Sequence, residues 1–188
     1  MIDNAVTEVA VLNIRRPLLP ALEGLVHLGK GSRYEEEIFE LVDRISLFQE
    51  LTHHDISRLC AKMECFCARR DEVIAREGDD GDFLGIVLTG EVSILKQHAD
   101  GQQRLLSVIG PGATFGEMSI IDGKPRFATC VAREPTDFAV LTRDTVYDIL
   151  LLEPSLGSKL LLLLLYHSLE RLRETGERLL PFIDGSKK

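Results

Sequence analysis

Between Glu64 and Leu141 apolar side chains recur at every second position, as in Leu84, Ile86 and Leu88 and again in Val92 and Ile94. Turn residues punctuate the run at Gly78, Gly90, Asp100-Gly101 and Gly110-Pro111-Gly112. A period of two with breaks this frequent cannot wind into helices, and it predicts many short strands closing into a jelly roll or a related barrel. On either side the period becomes helical. Upstream it runs through Ile38, Leu41, Val42, Ile45 and Phe48, after which Thr52 and Asp55 have capping-box spacing ahead of Ile56, Leu59 and Met63. Downstream, Val146, Ile149 and Leu150 precede Pro154, and a long helix is expected from Ser155 to about Leu180. The expected fold class is mainly β with flanking helices: a jelly-roll β-barrel plus a long C-terminal helix.

Inside the strand region, Phe115-Gly116-Glu117-Met118-Ser119 is followed by Pro125-Arg126-Phe127-Ala128-Thr129, which puts a carboxylate and a guanidinium nine positions apart among small, apolar and turn-forming residues. Gly116 lets the backbone approach a ligand with no Cβ in the way. The residues after it are expected to open a short helix whose free N–H groups face an anion, and Arg126 offers a charged fork to the same oxygens. An ionised Glu117 only accepts hydrogen bonds, so its natural partner is a hydroxyl. The pattern describes a pocket for a sugar hydroxyl and a phosphate.

These residues resemble the phosphate-binding cassette of the cyclic nucleotide-binding domain family, whose usual form is F-G-E-[LIM]-A followed by P-R-[AST]-A. Ile45-Ser46-Leu47-Phe48-Gln49-Glu50-Leu51 is similar to that family's leading helix, Arg76-Glu77-Gly78-Asp79-Asp80-Gly81-Asp82 to its glycine-rich turn, and Gly90-Glu91-Val92 to its next hairpin. The likeness runs from about Tyr34 to about Pro181. It implies that Glu117 takes the ribose 2′-hydroxyl and Arg126 the cyclic phosphate, with backbone N–H groups near Gly116, Met118, Phe127 and Ala128 completing the cage. Ser119 stands where Ala is commoner and keeps its N–H. The resemblance also places base-capping positions near His167, Arg171 and Leu172, with Arg171 the candidate because its donors suit N7 of a purine. The expected division is an N-terminal extension of unknown role with one short helix at 1–33, the nucleotide-binding domain at 34–154, and a C-terminal helix and tail at 155–188.

One departure bears on the ligand. Relatives that prefer cyclic GMP carry Thr or Ser after the Arg, and here that position is Phe127. Its ring has three readings: stacking on a base, crowding a syn purine, or filling the barrel. Cyclic AMP is favoured and cyclic GMP remains open. So does another anion such as cyclic di-GMP, for which Lys124, Arg133 and Arg171 are the available cations.

In the last helix, Leu162, Leu165, Leu169, Leu172, Gly176 and Leu179 alternate steps of three and four, and six consecutive leucines from Leu160 cover every face of its first half. A parallel homodimer through residues 156–180 is expected, the alternative being a helix packed within the monomer. A formal net charge of −8 argues against a general nucleic-acid surface. The longest apolar run, Leu160 to Tyr166, is seven residues, against about 20 needed to span a bilayer. An acidic N-terminus with Asp3 and Glu8 argues against secretion, so a cytoplasmic protein is expected. Cys60, Cys65, Cys67 and Cys130 match no zinc or thioredoxin spacing and are expected as reduced thiols. His53-His54-Asp55 is expected to cap and solvate a helix start rather than bind metal. With no G-x-S-x-G and no P-loop, no enzyme, cofactor or metal is expected. Only eight residues follow Leu180, so no DNA-reading module is expected on this chain, and output would pass to an unknown protein effector by repacking helices about a hinge near Glu153-Pro154. The alternative is an assembly protein with a ligand-free barrel.

Overall fold

A computed structural model describes residues 19–43 and 51–185. In chain order the elements are a 3-10 turn at Pro20–Leu22, β1 (Val26–Lys30), a second 3-10 turn at Gly31–Tyr34, α1 (Glu35–Asp43), α2 (His53–Lys62), β2 (Glu64–Ala68), β3 (Val73–Ala75), β4 (Phe83–Val87), β5 (Val92–Gln97), β6 (Gln103–Ile109), β7 (Thr114–Phe115), α3 (Glu117–Asp122), β8 (Thr129–Ala132), β9 (Thr136–Thr142), α4 (Arg143–Leu152) and α5 (Pro154–Gly185). The strands form an antiparallel roll of two sheets, ordered β1-β2-β9-β4-β7 and β3-β8-β5-β6. The expected order of helices, barrel and helices is what the chain adopts. The residues after Asp43 in the first expected helix, Ile45 and Phe48 among them, lie outside the described residues, as do 1–18 and 186–188.

Alternation along the central strands divides the apolar residues between two cores. Phe66, Phe83, Val87, Phe138 and Val140 point between the sheets, where they meet Ile74, Val92, Ile109, Phe115 and Ala132. Cys65, Leu84, Ile86, Ala139 and Leu141 point the other way, against Ile56, Leu59, Met63, Val146, Ile149, Leu156, Leu160, Leu163 and Leu164 of the helices. The set Leu84, Ile86 and Leu88 read from the sequence is therefore the helix-facing half of a strand buried on both sides. The stretch expected as an extension contributes more than a short helix: Leu19 and Leu22 lie in the barrel core, and β1 pairs with β2.

Helix α5 divides its leucines. Leu156, Leu160, Leu163 and Leu164 are buried, whereas Leu162, Leu165, Leu169, Leu172 and Leu179 are exposed. Between α4 and α5, Glu153 leaves helical geometry at φ −133°, ψ 60°, and its carboxylate is held by Arg58 and Lys62 of α2. Among the described residues no helix is long and apolar enough to cross a membrane.

The capping box forms as expected. Thr52 Oγ1 accepts from the Asp55 N–H at 3.2 Å, and Asp55 Oδ2 accepts from the Thr52 N–H at 3.0 Å. Asp55 also accepts from Lys159 Nζ at 2.7 Å, and this contact, with the Thr52 bonds, holds its carboxyl down at about 2. A folded-state pKa below the ordinary unfolded value of about 3.9 means that the stabilisation is complete above about pH 4 and is lost as the pH falls towards about 2. We expect Asp55→Asn to lower thermal stability near neutral pH by about 2 kcal/mol and the gap from the parent to shrink across that acid range in thermal melts. A gap independent of pH would rule out the ion pair as its source.

Candidate ligand-binding site

Strand β7 delivers the chain to Gly116, which takes φ 77°, ψ 2° and caps α3. A Cβ at Gly116 would strike Arg126 Nη1 and press on the Phe83 carbonyl, so glycine is required by conformation and by space. Arg126 enters from the loop between α3 and β8. Its N–H donates to the Asp79 carbonyl at 2.8 Å and its carbonyl accepts from the Gly78 N–H at 2.9 Å, which locks the glycine-rich turn to the cassette. Gly81 in that turn lies against Ser119 with no room for a side chain. Arg143, the first residue of α4, closes the frame by donating to the carbonyls of Gly81 at 2.6 Å and Ser119 at 2.7 Å. The sequence reading gave Arg143 no role, because its partners lie 62 and 24 positions away.

Two opposite charges are buried here: Glu117 is 3% exposed and Arg126 4%. They are not paired with each other. Arg126 Nη1 donates to the Gly116 carbonyl at 3.0 Å and its guanidinium lies 4.2 Å above the Phe83 ring, while Nη2 has no hydrogen-bond partner among the described residues. Glu117 Oε1 accepts from Arg171 Nη2 at 2.5 Å, and Oε2 is without a partner. Burial raises the Glu117 pKa, with Arg171 opposing it, and burial lowers that of Arg126. A buried polar atom left unbonded costs roughly 1–3 kcal/mol, more when charged. Each group is thus bonded at one atom and unsatisfied at the other: one spare acceptor of the kind a hydroxyl donor satisfies and one spare cationic donor of the kind an anion satisfies.

The remaining candidates are distributed around this pair. Ser119 and Ala128 are buried, and Met118 is half exposed. Phe127 is 50% exposed, which overturns the reading that it fills the barrel. Lys96 Nζ sits 4.4 Å over its ring and donates to its carbonyl at 2.6 Å and to Glu77 at 2.7 Å. Arg171, rather than dissolving among its neighbouring charges, turns into the site, while Arg173 pairs with Glu170. His167, four positions earlier, is half-buried with Nε2 unpartnered, and burial lowers its pKa. Leu172 is 67% exposed and is not brought to the site. Lys124 pairs with Asp122 and Arg133 with Glu91. The sequence reading also missed Phe83 as the floor beneath Arg126.

Other chemistry is sparse. Cys60, Cys65 and Cys130 are free and buried, and burial pushes each thiol up to about 12. No group of three or more His, Cys, Asp or Glu among the described residues is arranged to hold a metal. His53 stacks on Phe39 at 3.6 Å.

Residues 66–152 match the profile of the cyclic nucleotide-binding domain. The chain is 44% identical to a cyclic nucleotide-binding domain from Methylobacillus flagellatus, over 87% of this chain and 92% of that one, with a TM-score of 0.81. It is 32% identical to the regulatory domain of Toxoplasma gondii PKA crystallised with cAMP, over 62% of this chain and 44% of that one, at a TM-score of 0.56. It is also 29% identical over 77% of its length to a CRP-like cAMP-activated global transcriptional regulator of Mycobacterium tuberculosis, and spans 62% of that relative.

Proposed function

This chain belongs to the cyclic nucleotide-binding domain family, and from that premise we propose that it is a non-enzymatic sensor of a cyclic mononucleotide, with cyclic AMP favoured over cyclic GMP. The observation that carries the reading is the pair of buried charges, Glu117 and Arg126, each with one atom bonded and one unsatisfied. Arg126 Nη2 takes a phosphate oxygen, Glu117 Oε2 takes the ribose 2′-hydroxyl, and the backbone around Gly116, Met118, Ser119, Phe127 and Ala128 surrounds the phosphate. Hydrolysis would need a base and a nucleophile aimed at the phosphorus, and this set supplies neither.

Cyclic AMP is supported by Phe127, a residue with no hydroxyl to read a guanine amino group, and by the cAMP-linked relatives named above. Cyclic di-GMP is disfavoured because Lys124 and Arg133 are engaged with surface carboxylates. The exposed leucine row of α5 supports a parallel homodimer, in which one subunit's row covers the other's. The binding unit comprises residues 34–154 together with the barrel-packed segment from Leu19, and 155–188 carries the dimer helix and the output to a protein effector. Its acidity favours a cytoplasmic partner of this kind over direct contact with nucleic acid.

Isothermal titration with cyclic AMP, cyclic GMP and cyclic di-GMP tests the reading. Saturable heat is expected with cyclic AMP, a weaker response with cyclic GMP and none with cyclic di-GMP. Absence of heat with all three would leave an assembly protein as the surviving alternative.

A further inference from the structure

We infer that Lys96 is a positioning residue for the ligand's phosphate: reaching over from β5, its ammonium clasps Phe127 by carbonyl and ring, and so fixes the direction of the unbonded Phe127 N–H next to Arg126. The inference rests on the cyclic nucleotide reading and carries it to a side chain outside the cassette.

Lys96 Nζ donates to the Phe127 carbonyl at 2.6 Å and to Glu77 Oε1 at 2.7 Å, and it lies 4.4 Å from the centroid of the Phe127 ring. An ammonium has three donors and no acceptor, so two bonds and a ring face commit it to this cluster. Its other anchor is fixed in turn. Glu77 Oε2 accepts from the Gln97 N–H at 2.8 Å, and the Glu77 N–H donates to Thr129 Oγ1 at 3.0 Å. The hydrogen bond from Lys96 also holds the Glu77 carboxyl below its ordinary range, so the partner is ionised. One clasp thus joins β5, the glycine-rich turn and the first residue of β8.

The clasp acts on a loop whose carbonyls are taken and whose donor is spare. The Arg126 carbonyl accepts from the Gly78 N–H at 2.9 Å and the Phe127 carbonyl from Lys96, so the peptide planes before and after Phe127 are both held. No hydrogen bond among the described residues runs from the Phe127 N–H. Among those residues every peptide bond is trans, and across a trans plane the N–H points opposite to the carbonyl, so this donor faces away from Gly78. With both planes fixed, φ and ψ of Phe127 are fixed too, and the donor can meet a phosphate oxygen without reorganising. Arg126, one position earlier, has Nη2 spare. A spare backbone donor beside a spare cationic donor suits the two exocyclic oxygens of a cyclic phosphate.

The test is titration calorimetry with cyclic AMP and the two diastereomers of its phosphorothioate, which carry sulfur in place of one or the other exocyclic oxygen. Sulfur is a weak acceptor, so the diastereomer substituted at the oxygen facing the Phe127 N–H has already lost that bond. Lys96→Met keeps the stem and removes the ammonium. It should weaken cyclic AMP and one diastereomer by up to about tenfold, the worth of one hydrogen bond to a charged group, and leave the other within about twofold. Lys96→Arg should recover part of the loss, and Glu77→Gln, which loosens the ammonium from outside the loop, should repeat the pattern at smaller size. Equal losses on all three ligands would mean that Lys96 acts by charge or through the fold as a whole, and no loss that the clasp is idle; either overturns the inference. If the parent binds none of the ligands, the sensor reading falls, and the Phe127 amide resonance of the free protein still judges the clasp. It should move in Lys96→Met and return towards the parent position in Lys96→Arg, and an unmoved resonance would overturn the inference.

Discussion

Arg126→Ala is expected to fold and to lose nucleotide-induced thermal stabilisation. The side chain is 4% exposed, has one terminal nitrogen without a partner, and burial already opposes its charge, so its truncation leaves the fold without the burden of a desolvated cation. A bound phosphate in the truncated site would keep its charge and lose its fork. Removing one partner of a buried, hydrogen-bonded charge pair weakens binding by roughly 2–5 kcal/mol, which is about thirtyfold to several thousandfold. Differential scanning fluorimetry with and without cyclic AMP reads the effect directly. A variant whose melting temperature still rises with nucleotide would show that the anion binds elsewhere.

The second large effect is expected at the floor of the same site. Phe83 is fully buried, meets Phe115 edge to face with centroids 6.4 Å apart, and lies beneath the Arg126 guanidinium. Phe83→Ala should lose about 3–5 kcal/mol through burial and cavity formation, a fall in melting temperature of about 10 °C for a domain of this size. Phe83→Leu keeps most of the packing and removes the ring face, worth about 0.5–2 kcal/mol to a cation. It should therefore stay folded and bind cyclic AMP several-fold more weakly. A loss of less than about 2 °C in Phe83→Ala would mean that the ring is not part of the core.

The cassette was legible because its chemistry is local. Gly116, Glu117 and Arg126 lie within eleven consecutive positions, and the turn glycines around them announce the loop. What surrounds them was much less legible, since Phe83 and Arg143 reach the site across tens of residues and carry no spacing signal. Arg171 was reachable only through the family resemblance, which suggested a base contact, whereas its guanidinium lies on Glu117. β1 was missed because Gly24, Gly29 and Gly31 interrupt the few apolar residues of that stretch and leave no alternation to read. Gly29, at φ 107°, instead sits where the β1–β2 register shifts, a glycine within a strand rather than at its end. In α5 the three-and-four row from Leu162 to Leu179 was legible and its leucines are the exposed ones, whereas the six consecutive leucines have no period of their own to mark Leu160, Leu163 and Leu164 as the buried face.

Strands β4 and β9 form a party wall between two rooms. Phe138 and Val140 furnish the room that holds the ligand cradle, and Ala139 and Leu141, one step along the same backbone, furnish the room where α4 and α5 lodge. Neither tenant can redecorate alone. In the proposed sensor a tilt of the helices would lean on masonry whose far side carries Phe83, with Arg126 over its ring, so news of occupancy would need no dedicated wire beyond the wall itself.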